Sequence, residues 1–311
     1  MKKNRYLVTG VAGFIGSHIA EELLKRGDEV IGIDNFYSGN LENIQLLEQI
    51  SGNFEFHNID ITDFDNLKKV FQNSHITNIF HLAAVASVQK SIENPLFTNS
   101  VNVRGTLNIL ELAKEFKIQR VVFSSSAAVY GDEPTLPKNE NSIIQPISPY
   151  GYEKLMGEHY MNIFNSLYGV ETVVLRYFNV YGERQDPSSD YSGVISIFEN
   201  RISKGKTVNI YGDGKQYRDF IYVKDVVKIN FQAMESEKAI GEVFACGTGQ
   251  TTTILELFNI IAKKYQVEYL KPKMEITRNG DIRESVCDNS RIQNLLEIKS
   301  LIKFTDGIYN L

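Results

Sequence analysis

Short apolar runs alternate with longer amphipathic stretches along the first half of the chain. Six runs are apolar at consecutive positions and rich in branched or aromatic residues: RYLVTG, EVIGID, FEFHNID, NIFHLAA, RVVFSSS and TVVLRYF. This pattern is typical of parallel strands that are buried on both faces. Helical patterns lie between them, including FIGSHIAEELLKRG, which ends at Gly27, and NVRGTLNILELAKEF. Repeated strand–helix units predict an α/β fold built on a Rossmann-type, doubly wound parallel sheet.

The pattern changes after about Tyr181. A polar, turn-rich stretch follows, GERQDPSSDYSG, and the elements beyond it are shorter and mixed. One helix among them has capping-box spacing between Thr253 and Glu256. We therefore predict a Rossmann domain over 1–180, joined by a returning segment near 222–240, and a smaller α+β substrate-binding domain over 181–311.

Composition narrows the class of protein and its partners. The chain has 311 residues, a net charge of −5 and 42% hydrophobic residues, enough for one large core or two modest ones. The mild acidity gives no reason to expect a nucleic acid or an anionic membrane as partner. With only Cys246 and Cys287, no signal-peptide pattern and no bilayer-length apolar run, we expect a cytoplasmic globular protein without a metal site.

Three glycines separate the first strand from the first helix. Gly10, Gly13 and Gly16 allow a tight turn, close approach of the backbone to a phosphate, and close packing of the helix. Asp34 ends the second strand, where an acid bonds the ribose hydroxyls of NAD and repels the extra phosphate of NADP. The alternative is a structural glycine turn with a surface aspartate. The full context favours NAD.

The stretch SPYGYEK resembles the start of a helix. Ser148 suits the N-cap and Pro149 the first helical position. Lys154 then shares a face with Tyr150, four residues earlier, whereas Tyr152 points elsewhere. A nearby ammonium, a helix N-terminus and a positively charged nicotinamide ring would stabilise the Tyr150 phenolate, which makes it a candidate general base for a sugar or alcohol hydroxyl. The alternative is an amphipathic surface helix with chance spacing.

A run of serines ends the fifth predicted strand. Ser124, Ser125 and Ser126 follow RVVF at the edge where parallel sheets bind ligands. Their hydroxyls could bond a nicotinamide carboxamide and a substrate oxygen. A polar strand end that merely caps the next segment is the alternative.

Six motifs occur in order along the chain: TGVAGFIG, DIT, HLAA, SSSAAVYG, SPYGYEK and RYFNVYG. In this combination the sequence resembles the extended short-chain dehydrogenase/reductase family, and within it the UDP-hexose 4-epimerases. The resemblance covers essentially the whole chain. It implies an enzyme with NAD in the Rossmann domain, a UDP-sugar in the smaller domain, and a homodimer formed by helices near 99–116 and 150–168.

The resemblance also assigns site residues. It implies a catalytic base at Tyr150, its partner at Lys154, and at Ser126 a hydroxyl for the sugar's 4-oxygen. The cofactor residues implied are Gly10, Gly13, Phe14, Ile15, Gly16, Asp34, Asn35, Ser38, Gly39, Asp60, Ile61, Leu82, Ala83, Ala84, Asn99, Ser124, Tyr150, Lys154 and Tyr177. The substrate residues implied are Ser87, Ser126, Tyr150, Asn179, Val194, Tyr211, Arg218, Arg278, Asp281 and Ser285.

Two departures from related enzymes narrow the expected reaction. Sugar-nucleotide dehydratases of the family carry an Asp-Glu pair, and UDP-glucuronate decarboxylases a glutamate, where this chain has Ala127 and Ala128. Alanine cannot protonate a leaving hydroxyl, so simple epimerisation is favoured. Ser285 stands where related epimerases have a large tyrosine beside the sugar's 2-substituent, and it leaves room for an acetamido group.

The sequence thus predicts an NAD-dependent, reversible C4 epimerisation of UDP-GlcNAc and UDP-GalNAc through a 4-keto intermediate, with UDP-glucose and UDP-galactose as further substrates. A UDP-glucose or UDP-glucuronate 4-epimerase is the alternative enzyme. An NAD-sensing regulatory protein is the alternative without catalysis, although such proteins usually lack the tyrosine–lysine pair.

Overall fold

The structure is a computed structural model that describes residues 4–50, 52–187, 193–276 and 283–311. Its strands are β1 (Arg5–Thr9), β2 (Glu29–Asp34), β3 (Phe54–Asn58), β4 (Asn78–His81), β5 (Arg120–Ser126), β6 (Glu171–Tyr177), β7 (Asn179–Tyr181), β8 (Asn209–Tyr211), β9 (Tyr217–Arg218), β10 (Phe220–Tyr222), β11 (Val243–Cys246), β12 (Thr252–Thr253) and β13 (Lys273–Glu275). Its α-helices are α1 (Phe14–Lys25), α2 (Leu41–Ile50), α3 (Phe64–Ser74), α4 (Val88–Glu93), α5 (Pro95–Asn99), α6 (Thr106–Glu115), α7 (Pro149–Tyr168), α8 (Val194–Ile202), α9 (Val223–Glu235), α10 (Ile254–Lys264), α11 (Ser290–Leu295) and α12 (Phe304–Tyr309).

The main sheet has seven parallel strands in the order β11-β6-β5-β4-β1-β2-β3. All six predicted strands are present, and the α/β, Rossmann-type prediction is confirmed. The chain order reverses between β1 and β4, where the two halves of the sheet diverge. A crevice therefore opens beyond the carboxyl ends of these strands, which is where such sheets bind ligands.

Helices cover both faces of the sheet. Apolar residues of α1, α2 and α9 form one core with β1, while those of α3, α6 and α7 form a second core with β4 and β5. The strand positions alternate between these cores: Leu7 belongs to the second and Val8 to the first, and neither is exposed. Burial on both faces explains why the strands read as continuous apolar runs.

Three local features differ from the prediction. Strand β11 was not anticipated, although it lies just beyond the expected returning segment and pairs with β6. Strand β3 lies at the sheet edge, and Glu55 and Asn58 are exposed, so it is not buried on both faces. The helix predicted around NVRGTLNILELAKEF begins with a π-helical turn, Ser100–Gly105, before α6.

The smaller region contains three two-stranded sheets, β7 with β10, β9 with β12, and β8 with β13. Its core includes residues of α8 and α10 together with Tyr181 and Phe220. Helix α10 begins with the predicted capping box between Thr253 and Glu256. The helix expected to return to the main sheet is α9, which packs against α1.

Candidate active site

A cavity of about 1590 Å³ opens at the carboxyl edge of the main sheet and extends to the smaller region. Most predicted cofactor residues line it: Gly10, Gly13, Phe14, Ile15, Gly16, Asp34, Asn35, Ser38, Gly39, Asp60, Ile61, Leu82, Ala83, Ala84, Ser124, Tyr150, Lys154 and Tyr177. Six predicted substrate residues line it too: Ser126, Tyr150, Asn179, Val194, Tyr211 and Arg218. The fold therefore brings one large group of these residues together.

Three described site residues do not line this cavity, and two further predicted residues lie outside the described part of the chain. Asn99 ends α5 and does not line the cavity. Ser87 also lies outside the lining, and its hydroxyl caps α4 by accepting a hydrogen bond from the Lys90 N–H. Ser285 does not line the cavity, while Arg278 and Asp281 lie outside the described residues.

The glycine turn leaves the start of α1 open to the cavity. The N-cap residue, Gly13, has no side chain to cap the helix, so the first helical N–H groups stay available for an anion. Gly10 has φ of +72°, and a Cβ there would lie 2.8 Å from the Ala83 nitrogen. A larger residue at position 10 would therefore be strained and would collide with the loop after β4.

Asp34 is fixed at the end of β2 by the backbone. Its carboxylate accepts hydrogen bonds from the Ala12 N–H at 3.0 Å and the Phe36 N–H at 2.8 Å. Burial raises the pKa of Asp34, against the effect of those hydrogen bonds. Beside it, the Asn35 amide donates to Asp60 at 2.7 Å, which ties the ends of β2 and β3 together.

Helix α7 begins as predicted. The Ser148 hydroxyl accepts a hydrogen bond from the Gly151 N–H at 3.2 Å, and Pro149 is the first helical residue. The Tyr150 N–H donates to the Ser91 hydroxyl at 3.0 Å, so α4 holds the start of α7. Tyr150 is buried, whereas Tyr152 is 58% exposed. The selection of Tyr150 over Tyr152 by spacing is thus consistent with the structure.

Tyr150 and Lys154 share a buried site with Ser126. The Ser126 side chain lies next to the Tyr150 hydroxyl and acts to lower the pKa of Tyr150. The Lys154 ammonium lies 5.9 Å from the centre of the Tyr150 ring and donates to the Ser124 carbonyl at 2.7 Å. Burial lowers the pKa of Lys154 to about 8. A lysine with this pKa remains mostly protonated at neutral pH.

Burial raises the pKa of Tyr150 to about 12; the Ser126 side chain opposes that rise and the charge of Glu153 adds to it. Desolvation of the phenol penalises the phenolate, and the sequence analysis did not include it. The phenol is therefore protonated at neutral pH in the surroundings that these side chains provide. The expected stabilisation of the phenolate includes a nicotinamide ring and stays a prediction.

Sequence reasoning missed the residues that hold the serine strand end in place. The Ser125 hydroxyl donates to Glu158 at 2.5 Å, and Glu158 pairs with Arg176 at 2.7 Å, with both ions buried. Ser124 donates to the Tyr177 hydroxyl at 3.2 Å, which bonds Asn230 in turn. The spacing of Glu158, four residues after Lys154, was the available indication that it faces the same site.

The strand end leads into a short 3₁₀ turn, Ala127–Tyr130. The Ser126 hydroxyl accepts a hydrogen bond from the Ala128 N–H at 3.1 Å, which starts that turn. Neither Ala127 nor Ala128 can donate a proton. The residues that directly follow Ser126 therefore supply no acid to a sugar bound beside it.

The smaller region contributes the opposite wall. The Asn179 amide donates to the Asp219 carbonyl at 2.9 Å. The Arg218 guanidinium donates to the carbonyls of Tyr217 and Arg283, at 2.9 and 3.2 Å. Ser285 lies two residues beyond Arg283, in the segment that runs beside this wall.

No helix among the described residues is both long and apolar enough to cross a membrane.

Comparisons with known proteins agree with this geometry. The model of the NAD dependent epimerase/dehydratase family matches residues 6–247. The UDP-glucose 4-epimerase of Thermotoga maritima, solved with UDP-glucose, is 37% identical with a TM-score of 0.93, and the match covers 98% of this chain and 96% of that one.

Two further relatives differ from it in the sugar named. The UDP-N-acetylglucosamine 4-epimerase of Methanobrevibacter ruminantium M1, solved with UDP-N-acetylmuramic acid, is 38% identical with a TM-score of 0.92, covering all of this chain and 97% of that one. The UDP-glucuronate 4-epimerase of Thermodesulfobacterium geofontis is 36% identical, covering 97% of this chain and 93% of that protein.

Proposed function

Since the chain belongs to the NAD dependent epimerase/dehydratase family, we propose that it is a UDP-sugar 4-epimerase that interconverts UDP-GlcNAc and UDP-GalNAc and also acts on UDP-glucose. One observation carries the chemistry: the buried Tyr150 lines the same cavity as Ser126 and the glycine turn. The relatives named above share the 4-epimerase reaction and differ in the sugar.

The residues of the first half of the cavity fit NAD. The uncapped start of α1 suits a pyrophosphate, and Gly10 leaves the space that a Cβ would fill. Asp34 presents a carboxylate for ribose hydroxyls at the end of β2. When bound, NAD supplies a hydride acceptor at the sugar's C4, which no side chain of the chain can provide.

Tyr150 is the group proposed to move the proton of the C4 hydroxyl. The Ser126 side chain lines the same cavity and acts on the Tyr150 hydroxyl, and we propose that both bond the same sugar oxygen. The Lys154 ammonium and the N-terminus of α7 favour the phenolate, against the burial that raises the pKa of Tyr150. Lys154 is in turn held by the Ser124 carbonyl, so its position follows from β5.

The acetamido specificity is proposed from Ser285. The Arg218 side chain reaches the carbonyl of Arg283, so the segment containing Ser285 runs close behind a residue of the cavity wall. A small side chain there leaves space next to the wall, and a tyrosine would occupy it. Steric space of this kind discriminates substrates through differences in transition-state binding.

UDP-glucose 4-epimerisation is the second candidate, supported by the similarity to the Thermotoga maritima enzyme. A uronate would need a partner for its carboxylate. Four cations line the cavity in the part of the chain that the structure describes, Lys154, Arg184, Arg201 and Arg218. Lys154, Arg201 and Arg218 each donate to a backbone carbonyl, and Arg184 pairs with Glu21, so we assign none of them to a uronate.

A comparison of purified protein on UDP-GlcNAc, UDP-GalNAc, UDP-glucose and UDP-glucuronate tests the proposal. We expect interconversion of the two acetylated sugars, and of UDP-glucose with UDP-galactose, without added reductant. Conversion of UDP-glucose alone would refute the acetamido specificity, and NAD binding without any conversion would favour the regulatory alternative.

We also propose a homodimer. Helices α4, α5 and α7 expose apolar side chains on the surface of the chain, namely Val88, Ile92, Leu96, Tyr152, Met156, Ile163 and Leu167. Apolar side chains grouped in this way are typical of interfaces between subunits. Light scattering of the purified protein should give twice the mass of the 35.3 kDa chain, and a change of Leu96 and Leu167 to aspartate should give the single mass.

A further inference from the structure

Glu153 is a buried carboxylate between Tyr150 and Lys154, and its exposed fraction is only 4%. It accepts a hydrogen bond from the Thr98 hydroxyl at 2.6 Å and another from the Asn102 amide at 2.6 Å. No ion pair joins it to a cation within the described ranges. A buried carboxylate held only by neutral donors is costly, since a charge that leaves water needs strong compensation.

Asn102 uses its whole amide in this network. Its oxygen accepts a hydrogen bond from the Val85 N–H at 2.7 Å, and its nitrogen donates to the Val85 carbonyl at 3.1 Å. The second proton of the same nitrogen is donated to Glu153. The two bonds to Val85 fix which end of the amide faces the loop, and the Glu153 carboxylate holds the remaining N–H of the same amide from the side of α7.

Val85 belongs to the loop that follows β4, residues 82–86, and this loop lines the cavity. At its other end the Thr9 hydroxyl accepts hydrogen bonds from the N–H groups of Leu82 and Ala83, both at 3.2 Å. The loop is therefore pinned at two points, one on β1 and one on the π-helical turn. Only the contact with the π-helical turn depends on α7, the helix that carries Tyr150.

We propose that Glu153 is a positioning residue, which holds the Asn102 amide in place and through it keeps the loop 82–86 against the cavity beside Tyr150. The proposal rests on the proposed function for its effect on turnover, but the link from Glu153 to Val85 stands without it. Asn102 lies in the π-helical turn Ser100–Gly105, between α7 and the loop 82–86, and contacts both. Such turns are frequent at functional sites.

The test compares two substitutions around the same carboxylate. Glu153→Gln keeps the volume and replaces a charged acceptor by a neutral one, so the hydrogen bond that holds the Asn102 amide weakens. Thr98→Val removes the other hydrogen bond to Glu153 with almost no change of shape, and it leaves Asn102 in contact with the carboxylate. One variant weakens a buried hydrogen bond and the other removes one, so both should lose some thermal stability.

Hydrogen–deuterium exchange of the loop measures the link directly. In Glu153→Gln we expect the Val85 amide to exchange at least about tenfold faster than in the wild type. In Thr98→Val its rate should stay within about twofold. NAD dissociation constants should follow the same order, with about a tenfold increase for Glu153→Gln only, and kcat should fall while KM for the UDP-sugar stays unchanged.

Equal exchange at Val85 in Glu153→Gln and the wild type would overturn the proposal, and so would equal acceleration in the two variants. Glu153→Met, which keeps the length of the side chain and removes the acceptor, stands in where Glu153→Gln does not fold, and the same acceleration at Val85 is expected. The exchange measurement needs neither substrate nor turnover. Failure of the wild type to convert any UDP-sugar would therefore refute the proposed function alone.

Discussion

The two walls of the cavity are built in different ways. The wall on the main sheet comes from the ends of adjacent parallel strands, each paired over three or more residues with its neighbours. The wall on the smaller region comes from short strands in two-stranded pairs, such as the two-residue contact of β9 with β12. The sheet determines the geometry of the first wall. The geometry of the second wall depends on contacts between segments that are distant in the sequence.

Because they are built differently, we expect the two walls to have different roles. Backbone groups, glycines and buried hydrogen-bond networks hold the first wall, so its geometry changes little with surface substitutions. The second wall depends on loops that follow short strands, where sequences vary and specificity is usually set. We therefore expect substitutions in the first wall to abolish binding of the cofactor or the chemistry, and substitutions in the second to redirect the choice of sugar.

The largest expected effect is at the first wall. Tyr150→Phe should lower kcat by about 10³-fold, since a positioned acid–base group contributes about 10²- to 10⁴-fold. NAD should still bind, because Asp34 and the glycine turn are untouched. Turnover assays with a measurement of bound NAD check this, and Tyr152→Phe is the control, since that side chain is exposed. Normal turnover in Tyr150→Phe would place the base elsewhere.

The next effect is expected for the cofactor itself. Asp34→Ala removes a carboxylate that accepts two backbone hydrogen bonds at the end of β2. Hydrogen bonds to a charged group contribute about 1.5–3 kcal/mol each, so NAD affinity should fall by about 10- to 100-fold. Fluorescence titration with NAD measures it, while KM for the UDP-sugar should hardly change. An equal change in the NAD dissociation constant and in KM for the UDP-sugar would contradict the separate roles of the two walls.

At the second wall we expect a change of specificity. Ser285→Tyr should lower kcat/KM for UDP-GlcNAc by about tenfold and leave UDP-glucose within about twofold, because it fills space without removing a charge. Ser285→Ala is the matched control and should behave as the wild type. The measurement is the ratio of kcat/KM for UDP-GlcNAc to kcat/KM for UDP-glucose. An unchanged ratio would show that Ser285 does not determine specificity.

The smallest effect concerns stability and pH. Burial lowers the pKa of Lys154 from 10.5 to about 8, so the folded chain holds a disfavoured ammonium below pH 8. Lys154→Met should therefore be more stable than the wild type at pH 7, by about 1–2 kcal/mol after loss of the bond to Ser124. Between pH 8 and 10.5 only the unfolded lysine keeps its proton, so wild-type stability rises and the advantage disappears. Chemical denaturation across this range measures it, and an advantage that does not shrink would contradict the pKa assignment.

The first wall could be predicted from the sequence because its elements are local. A glycine turn, an acid at the end of a strand and a Ser-Pro helix start each lie within a few residues, and periodicity locates the strands. The network around Glu158 and Arg176 could not be predicted, since the partners are 18 residues apart and meet only when β6 pairs beside β5. The same holds for Glu153, whose partners precede it by more than 50 residues.

Two features were missed for physical reasons. The sequence analysis of Tyr150 considered the charges that stabilise its phenolate, whereas desolvation of the buried phenol raises its pKa. Strand β11 was overlooked because VFAC is only four residues long, and its burial comes from β6 rather than from its own pattern. The π-helical turn could not be predicted from the sequence either, since its residues follow an ordinary α-helical pattern.

Strand β11 also decides how the chain tolerates truncation. It covers the outer edge of β6, and it reaches that place only after the chain has passed through the smaller region. A shortened chain that ends near residue 181 would leave β6 as a bare edge with unpaired N–H and C=O groups. Such an edge recruits other chains, so the Rossmann half made on its own should aggregate rather than fold as an isolated cofactor-binding domain.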